Sequence, residues 1–212
     1  MTAPAKTKKL AHIWKRDEND WYVEPSRASE ALFRVETFDG SVWDPACGKG
    51  NIVYSALAAG IQAYGTDIVN RHPIDPPGYG GELDFLEAAY ARADNIVTNP
   101  PFYRAKGAEA FIRKALSLVG GKVAAFVDIR FIAGGERARG IFSEFPPESV
   151  WIIHPRVSCP PGAYLEAGGK AGNGSSDWCW LVWPIRAVRR NGGYSTELKW
   201  LNVKEPTCAN GS

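Results

Sequence analysis

Read in chain order, four short segments hold the residues that can do chemistry: DPACGKG at 44–50, Asp67 in GTDIV, Asp84–Phe85 in LDFLEAA, and NPPF at 99–102. The last is the most constrained. Two successive prolines continue neither a strand ladder nor a helix interior, so the chain stops being regular after Asn99. A backbone locked there can aim two acceptors, the Asn99 side-chain oxygen and the Pro100 carbonyl, at a single –NH2 group. Pro101 adds rigidity and Phe102 offers a ring face for a planar base. This is equipment for handling an exocyclic amine. The bland alternative, a simple turn, loses weight because three other signals precede it in a fixed order.

In DPACGKG, Gly48 and Gly50 let the backbone approach a ligand closely, and a helix beginning near Asn51 presents unpaired N–H groups. Lys49 lies between the glycines and no GK[ST] follows, so the segment is not a Walker loop. It also lacks a full GxGxxG, which argues against a nicotinamide site. Asp67 stands 17 residues after Gly50, at the end of a second strand, where Rossmann-like folds grip ribose hydroxyls. Asp84 and Phe85 pair an acceptor with an aromatic face, suited to an adenine ring; a core Phe beside a helix-capping Asp is an equal alternative.

These residues need elements to hold them. Seven strands are expected at 41–46, 62–67, 81–85, 95–99, 122–129, 149–155 and 178–184. Helices are expected at 26–37 with Ser26 as N-cap, at 51–60 and at 106–121, with a weaker one at 131–145 interrupted by Gly134 and Gly135. The alternation predicts an α/β fold, Rossmann-like, with helices on both faces of a mostly parallel seven-stranded sheet. The last two strands are joined by RVSCPPGAYLEAGGKAGNGSSD (156–177), which has no helical pattern, so they form an antiparallel edge pair. The aromatic run WCWLVWP (178–184) reads as alternating core residues of that edge.

A length of 212 residues with 45% hydrophobic content suits one domain. We expect a basic flexible arm over 1–20, a single domain over 21–204 and a tail over 205–212. The net charge of +2 does not by itself mark a nucleic-acid binder, but Lys6, Lys8, Lys9, Lys15 and Arg16 cluster in the arm without an acid. Cys47, Cys159, Cys179 and Cys208 form no CxxC pair, and no histidine lies at ligand spacing, so no metal site is expected. Scattered thiols, no signal peptide and no membrane-length apolar run suggest a cytoplasmic setting.

Taken together, DPACGKG, an acid after the second strand, then D-F, then NPPF resemble the S-adenosylmethionine-dependent amino-methyltransferases, and most closely the small phage and prophage DNA adenine methyltransferases. The resemblance covers about residues 20 to 185. It implies that Asp44, Pro45, Ala46, Gly48 and Gly50 line the methionine half of the cofactor, that Asp67 binds the ribose, and that Asp84 and Phe85 hold the adenine. Asn99, Pro100, Pro101 and Phe102 become the catalytic corner. WYVEP (21–25) resembles the family's segment before the first strand; Tyr22 and Pro25 carry over as cofactor-binding, whereas Glu24 stands where Thr is commoner.

The resemblance implies a nucleic-acid substrate, DNA before RNA, and N6-methylation of adenine with little or short sequence specificity. RNA or protein-glutamine amino groups and cytosine N4 remain alternative acceptors for the same site, and a catalytically idle cofactor-binding module is the third class. No separate recognition domain fits after Pro184, so the loop 156–177 with Arg156 and Lys170 is expected to form the recognition surface. Arg104, Lys106, Arg130, Arg137 and Arg139 are expected to contact phosphates.

Overall fold

Successive side chains of a strand point to opposite faces, and in the strand Trp178–Pro184 both sets are apolar. Trp180 and Val182 pack into one core with Ala28, Leu32 and Ile52, while Cys179, Leu181 and Trp183 pack into another with Trp43, Ile96 and Ile112. A strand apolar on both faces must be covered on both faces. The neighbouring strand Lys122–Asp128 behaves the same way, with Ala124 and Phe126 on one side and Val123, Ala125 and Val127 on the other.

The computed structural model describes residues 19–71, 78–103, 106–172, 174, 176–184 and 195–204. The strands are β1 (Val42–Asp44), β2 (Ala63–Asp67), β3 (Tyr79–Glu82), β4 (Asn95–Thr98), β5 (Lys122–Asp128), β6 (Ser149–His154), β7 (Trp178–Pro184) and β8 (Glu197–Asn202). They form one mixed sheet in the order β3-β2-β1-β4-β5-β7-β6-β8. β1 through β5 pair in parallel; β7 runs antiparallel to both β5 and β6.

Helices α1 (Ser26–Val35) and α2 (Asn51–Ala58) cover one face. α3 (Lys106–Leu118) covers the other, burying Ala108, Phe111, Ile112, Ala115 and Leu116. Short helices α4 (Gly135–Arg139), α5 (Ile141–Glu144) and α6 (Gly162–Glu166) complete the described chain. None of the described helices is long and apolar enough to cross a membrane.

The expected α/β sheet is present, with several local differences. β7 lies inside the sheet rather than at its rim, because β6 and then β8 continue outward from it. β8 is an eighth strand beyond the expected seven, and it pairs with β6 in parallel. The third strand ends at Glu82, so Asp84 and Phe85 lie beyond it: Asp84 caps the following 3-10 turn, Phe85–Glu87, which Phe85 opens.

Ser26 is the first helical residue of α1 and not its cap: Pro25, extended at φ −73, precedes the helix, and its carbonyl accepts from Ala28 N. The weak helix at 131–145 is broken into α4 and α5 at Gly140, whose φ −99 and ψ −109 are not helical. The arm 1–16, Arg104, the tail 205–212 and Cys208 lie outside the described residues.

Trp180 is fully buried, and its Nε1 donates to Ala28 O at 3.1 Å, tying β7 to α1. Trp180→Ala should therefore cost about 3–5 kcal/mol, as cavity-forming aromatic truncations do. Urea unfolding measures it; a loss below about 1 kcal/mol would contradict this packing.

Candidate functional site at the carboxyl ends of the strands

In an open α/β sheet the ligand crevice forms where strand order reverses, beyond the carboxyl ends of the strands. Here the chain goes from β1 outward to β2 and β3, then returns to β4 on β1's other side. Asp44 ends β1, Asp67 ends β2, and Asn99 follows β4, so the three converge at one end of the sheet. A cavity of about 260 Å³ opens there. Its lining includes Tyr22, Pro45, Ala46, Asp67, Asp84, Phe85, Asn99 and Pro101 from the sequence expectations. Pro25, Asp44, Gly48, Gly50, Pro100 and Phe102 are not among its lining residues.

Asn99 has a defined orientation. Its Nδ2 donates to Tyr22 O and to Glu24 Oε2, both at 2.8 Å. A backbone carbonyl only accepts, so the atom facing Tyr22 O must be the nitrogen. Both amide hydrogens are thereby used, and Oδ1 accepts no hydrogen bond among the described residues. The segment before α1 is itself clamped over this corner. Val23 N donates to Pro160 O and Gly162 N to Trp21 O, a short antiparallel contact with the loop 156–177. Tyr103, at φ 35 just past the prolines, donates its N–H to Asp20 Oδ2 at 2.6 Å.

The glycine turn is shaped for close approach. Gly48 (φ 52) and Gly50 (φ 87) occupy left-handed backbone, which favours glycine. A Cβ on Gly48 would meet the Trp21 indole nitrogen at 2.6 Å. Gly48 N donates to Asp67 Oδ2 at 2.8 Å, while Asp67 Oδ1 accepts from Val69 N at 3.1 Å. Asp67 therefore ties the turn to β2 and keeps lone pairs for a further donor.

Asp84 Oδ1 caps the 3-10 turn through Leu86 N at 2.9 Å. Phe85 is 2% exposed between Trp43 and Phe111, so it is a core ring that also contributes to the cavity wall. Phe102 is half-buried, edge-on to Phe131 and Trp178 with centroids 6.3 Å away in each case.

Three acids gather at the carboxyl ends of β1 and β2 and in the segment before α1. Glu24, Asp44 and Asp67 are all buried, and none forms an ion pair among the described residues. Burial pushes the Glu24 carboxyl up to about 7 against the opposing Asn99 hydrogen bond. Burial, then the Glu24 charge, pushes Asp44 well above the carboxylate range. A donor set of this chemistry fits a cationic ligand.

Folded Glu24 keeps a proton that an unfolded glutamate, titrating near 4.5, has already released. Stability must then fall as pH rises from about 4.5 to about 7, and Asp44 adds in the same direction. We predict a lower urea-unfolding free energy at about pH 7.5 than at about pH 5, with a shallower dependence in Glu24→Gln. A stability that climbs over this interval would contradict the buried-acid arrangement.

Sequence reasoning missed several cavity residues. Trp21, Ile68, Arg71 and Tyr103 line the cavity beside the expected set. Trp21 packs on Gly48 and Gly162, and the Arg71 guanidinium lies over its ring at 4.3 Å. Its signal was adjacency, since it directly precedes Tyr22; Tyr103 likewise follows NPPF.

The loop 156–177 is less free than its composition suggests. Val157, Ser158 and Cys159 are buried, α6 lies within it, and Arg156 pairs with Asp177 at 2.6 Å. Lys170 is exposed, as are Lys106 and Arg139. Arg130 reaches solvent while pairing with Asp128 at 2.7 Å, and Arg137 Nε donates to Phe131 O at 2.6 Å.

No protein-family model matches the chain, and no curated protein matches it. Solved structures do share its architecture. A protein of Pyrococcus horikoshii provisionally named an RNA methyltransferase superposes with a TM-score of 0.59 at 18% identity, covering 83% of this chain and 93% of that one. The methyltransferase subunit of a type I restriction-modification system from Streptococcus thermophilus gives 0.54 at 11% identity, over 77% of this chain and 44% of that one. A protein of Lactococcus lactis provisionally named a hemolysin gives 0.53 at 14%, over 84% and 93%. At such identities the shared property is the fold: a Rossmann-like α/β sheet on which methyltransferases are built.

Proposed function

We propose that this chain is an S-adenosylmethionine-dependent methyltransferase acting on the exocyclic N6 amine of adenine in DNA, with little or short sequence specificity. The observation that carries the reading is the Asn99 amide: its nitrogen is saturated by Tyr22 and Glu24, leaving Oδ1 as an acceptor at the cavity wall. The cofactor supplies an electrophilic methyl on a sulfonium. Burial holds Glu24 and Asp44 toward their protonated forms, and a bound sulfonium and ammonium would favour their ionised forms.

On this reading Tyr22, Pro25, Asp44, Pro45, Ala46, Gly48 and Gly50 surround the methionine half. Asp67 accepts from the ribose hydroxyls, and Asp84 and the edge of Phe85 meet the adenine.

An exocyclic amine is a poor nucleophile because its lone pair is delocalised into the ring. Acceptors at Asn99 Oδ1 and Pro100 O favour a pyramidal nitrogen and stabilise the positive charge growing on it. Holding amine and methyl in line removes much of the entropic barrier. With the cofactor bound, the amine nitrogen would take its methyl as the carbon–sulfur bond breaks, and the amine proton would leave to water while Asn99 Oδ1 and Pro100 O hold the amine. In duplex DNA the base must be flipped out, and on this reading it stacks on Phe102, which Phe131 and Trp178 hold edge-on.

Asn rather than Ser at the start of NPPF favours adenine over cytosine N4. RNA and protein glutamine present the same amine chemistry and are the competing acceptors. Lys106, Arg130, Arg137, Arg139 and Lys170 supply phosphate contacts on this reading, which gives weak sequence discrimination. Mapping methylated sites on random-sequence DNA tests that clause: a short or absent motif is expected, and a long strict one would contradict it.

A further inference from the structure

We propose that Glu24 is a positioning residue that locks the Asn99 amide, so that Oδ1 and not Nδ2 is presented to the cavity. The proposal deepens the amino-methyltransferase reading, but its geometric core can be tested without any methyl transfer.

The amide has two ways to sit, related by exchange of its nitrogen and oxygen. In the observed one, Nδ2 meets two acceptors at 2.8 Å, Tyr22 O and Glu24 Oε2, with Cys159 Sγ at 3.9 Å as a third, weaker neighbour. Exchanged, Oδ1 would face a carbonyl oxygen and a carboxylate oxygen with no proton between them. An ionised Glu24 therefore makes the exchange costly.

A protonated Glu24 does the opposite, because its O–H can donate to an amide oxygen. Only Tyr22 O then opposes the wrong orientation. Glu24 is itself fixed: it is 7% exposed, and its backbone carbonyl accepts from Asn51 Nδ2 at 2.7 Å at the start of α2. Its charge is felt by Asp44 at the end of β1, by Cys47 in the glycine turn and by Cys159 in the loop 156–177, and Asp67 acts in turn on Asp44. All are acidic or neutral. None offers Glu24 a competing cation, so Asn99 is its charge-assisted partner.

Burial places this proton release near neutrality. The expected consequence is a methyl-transfer rate that rises with pH through about 7, as the amide becomes locked.

The decisive experiment is NMR on the 15N-labelled full chain without cofactor or substrate. The Asn99 side-chain NH2 resonances are assigned by their loss in Asn99→Ala. In the wild type they should titrate with a midpoint near pH 7. In Glu24→Gln, where Oε1 still accepts but nothing ionises, they should be flat. Resonances that do not titrate in the wild type, or that titrate equally in Glu24→Gln, overturn the proposal.

Turnover gives the second readout. Glu24→Gln should lose the pH-dependent limb, and Glu24→Ala should lower kcat about 10- to 100-fold with a smaller change in KM for the polymer. Wild-type kcat in a folded Glu24→Ala also overturns it. If the wild type methylates nothing while the NMR titration appears, the positioning role stands and the enzyme reading falls.

Discussion

Asn99→Ala is expected to lower kcat for methyl transfer by about 10²–10³-fold, the usual consequence of removing one preorganised acceptor or donor aimed at developing charge. S-adenosylmethionine should still bind within a few-fold of wild type, since Asp44, Asp67 and the glycine turn are untouched. The variant also leaves the buried Glu24 carboxyl without the donor it has at 2.8 Å. Leaving a buried acceptor unsatisfied costs about 1–3 kcal/mol, so a modest loss of stability accompanies the loss of activity. Separate measurement of kcat, cofactor Kd and unfolding free energy distinguishes the two effects. A variant with wild-type turnover would remove Asn99 from the mechanism.

The second large effect is on cofactor affinity. Asp67→Ala removes the carboxylate that accepts from Gly48 N and Val69 N and that, on the proposed reading, also takes the ribose hydroxyls. Hydrogen bonds to a charged group contribute about 1.5–3 kcal/mol each, so Kd should rise by about 10- to 150-fold. Asp67→Asn keeps one oxygen and should fall between. Calorimetric titration with S-adenosylmethionine reads this directly. An Asp67→Ala protein that binds within twofold of wild type would show that the ribose lies elsewhere.

Much of this arrangement was legible because apolar periodicity and special backbone residues are local properties. The glycines of DPACGKG, the prolines of NPPF and the two-faced apolar run 178–184 each dictate geometry on their own. Strand β8 escaped because Leu198 and Trp200 are exposed while Leu201 is buried, so its pattern does not mark a half-buried strand cleanly. β7 is interior because it sits between β5 and β6, an order of strands that no local pattern marks.

The contact between Trp21–Val23 and Pro160–Gly162 joins segments far apart in sequence, and nothing local predicts it. The same holds for Glu24: as a letter it looked like a departure from a binding motif. Only the fold shows that its carboxylate meets Asn99, 75 positions away.

Methyl transfer to the three candidate polymers can be compared in one assay. The protein is incubated with tritiated S-adenosylmethionine and, in parallel, DNA, RNA and total protein, and the labelled product is digested and identified. Label is expected in DNA, recovered as N6-methyladenine, and lost with Asn99→Ala. Label confined to RNA or protein would contradict the choice of polymer, and no label in any of the three would contradict the methyltransferase itself.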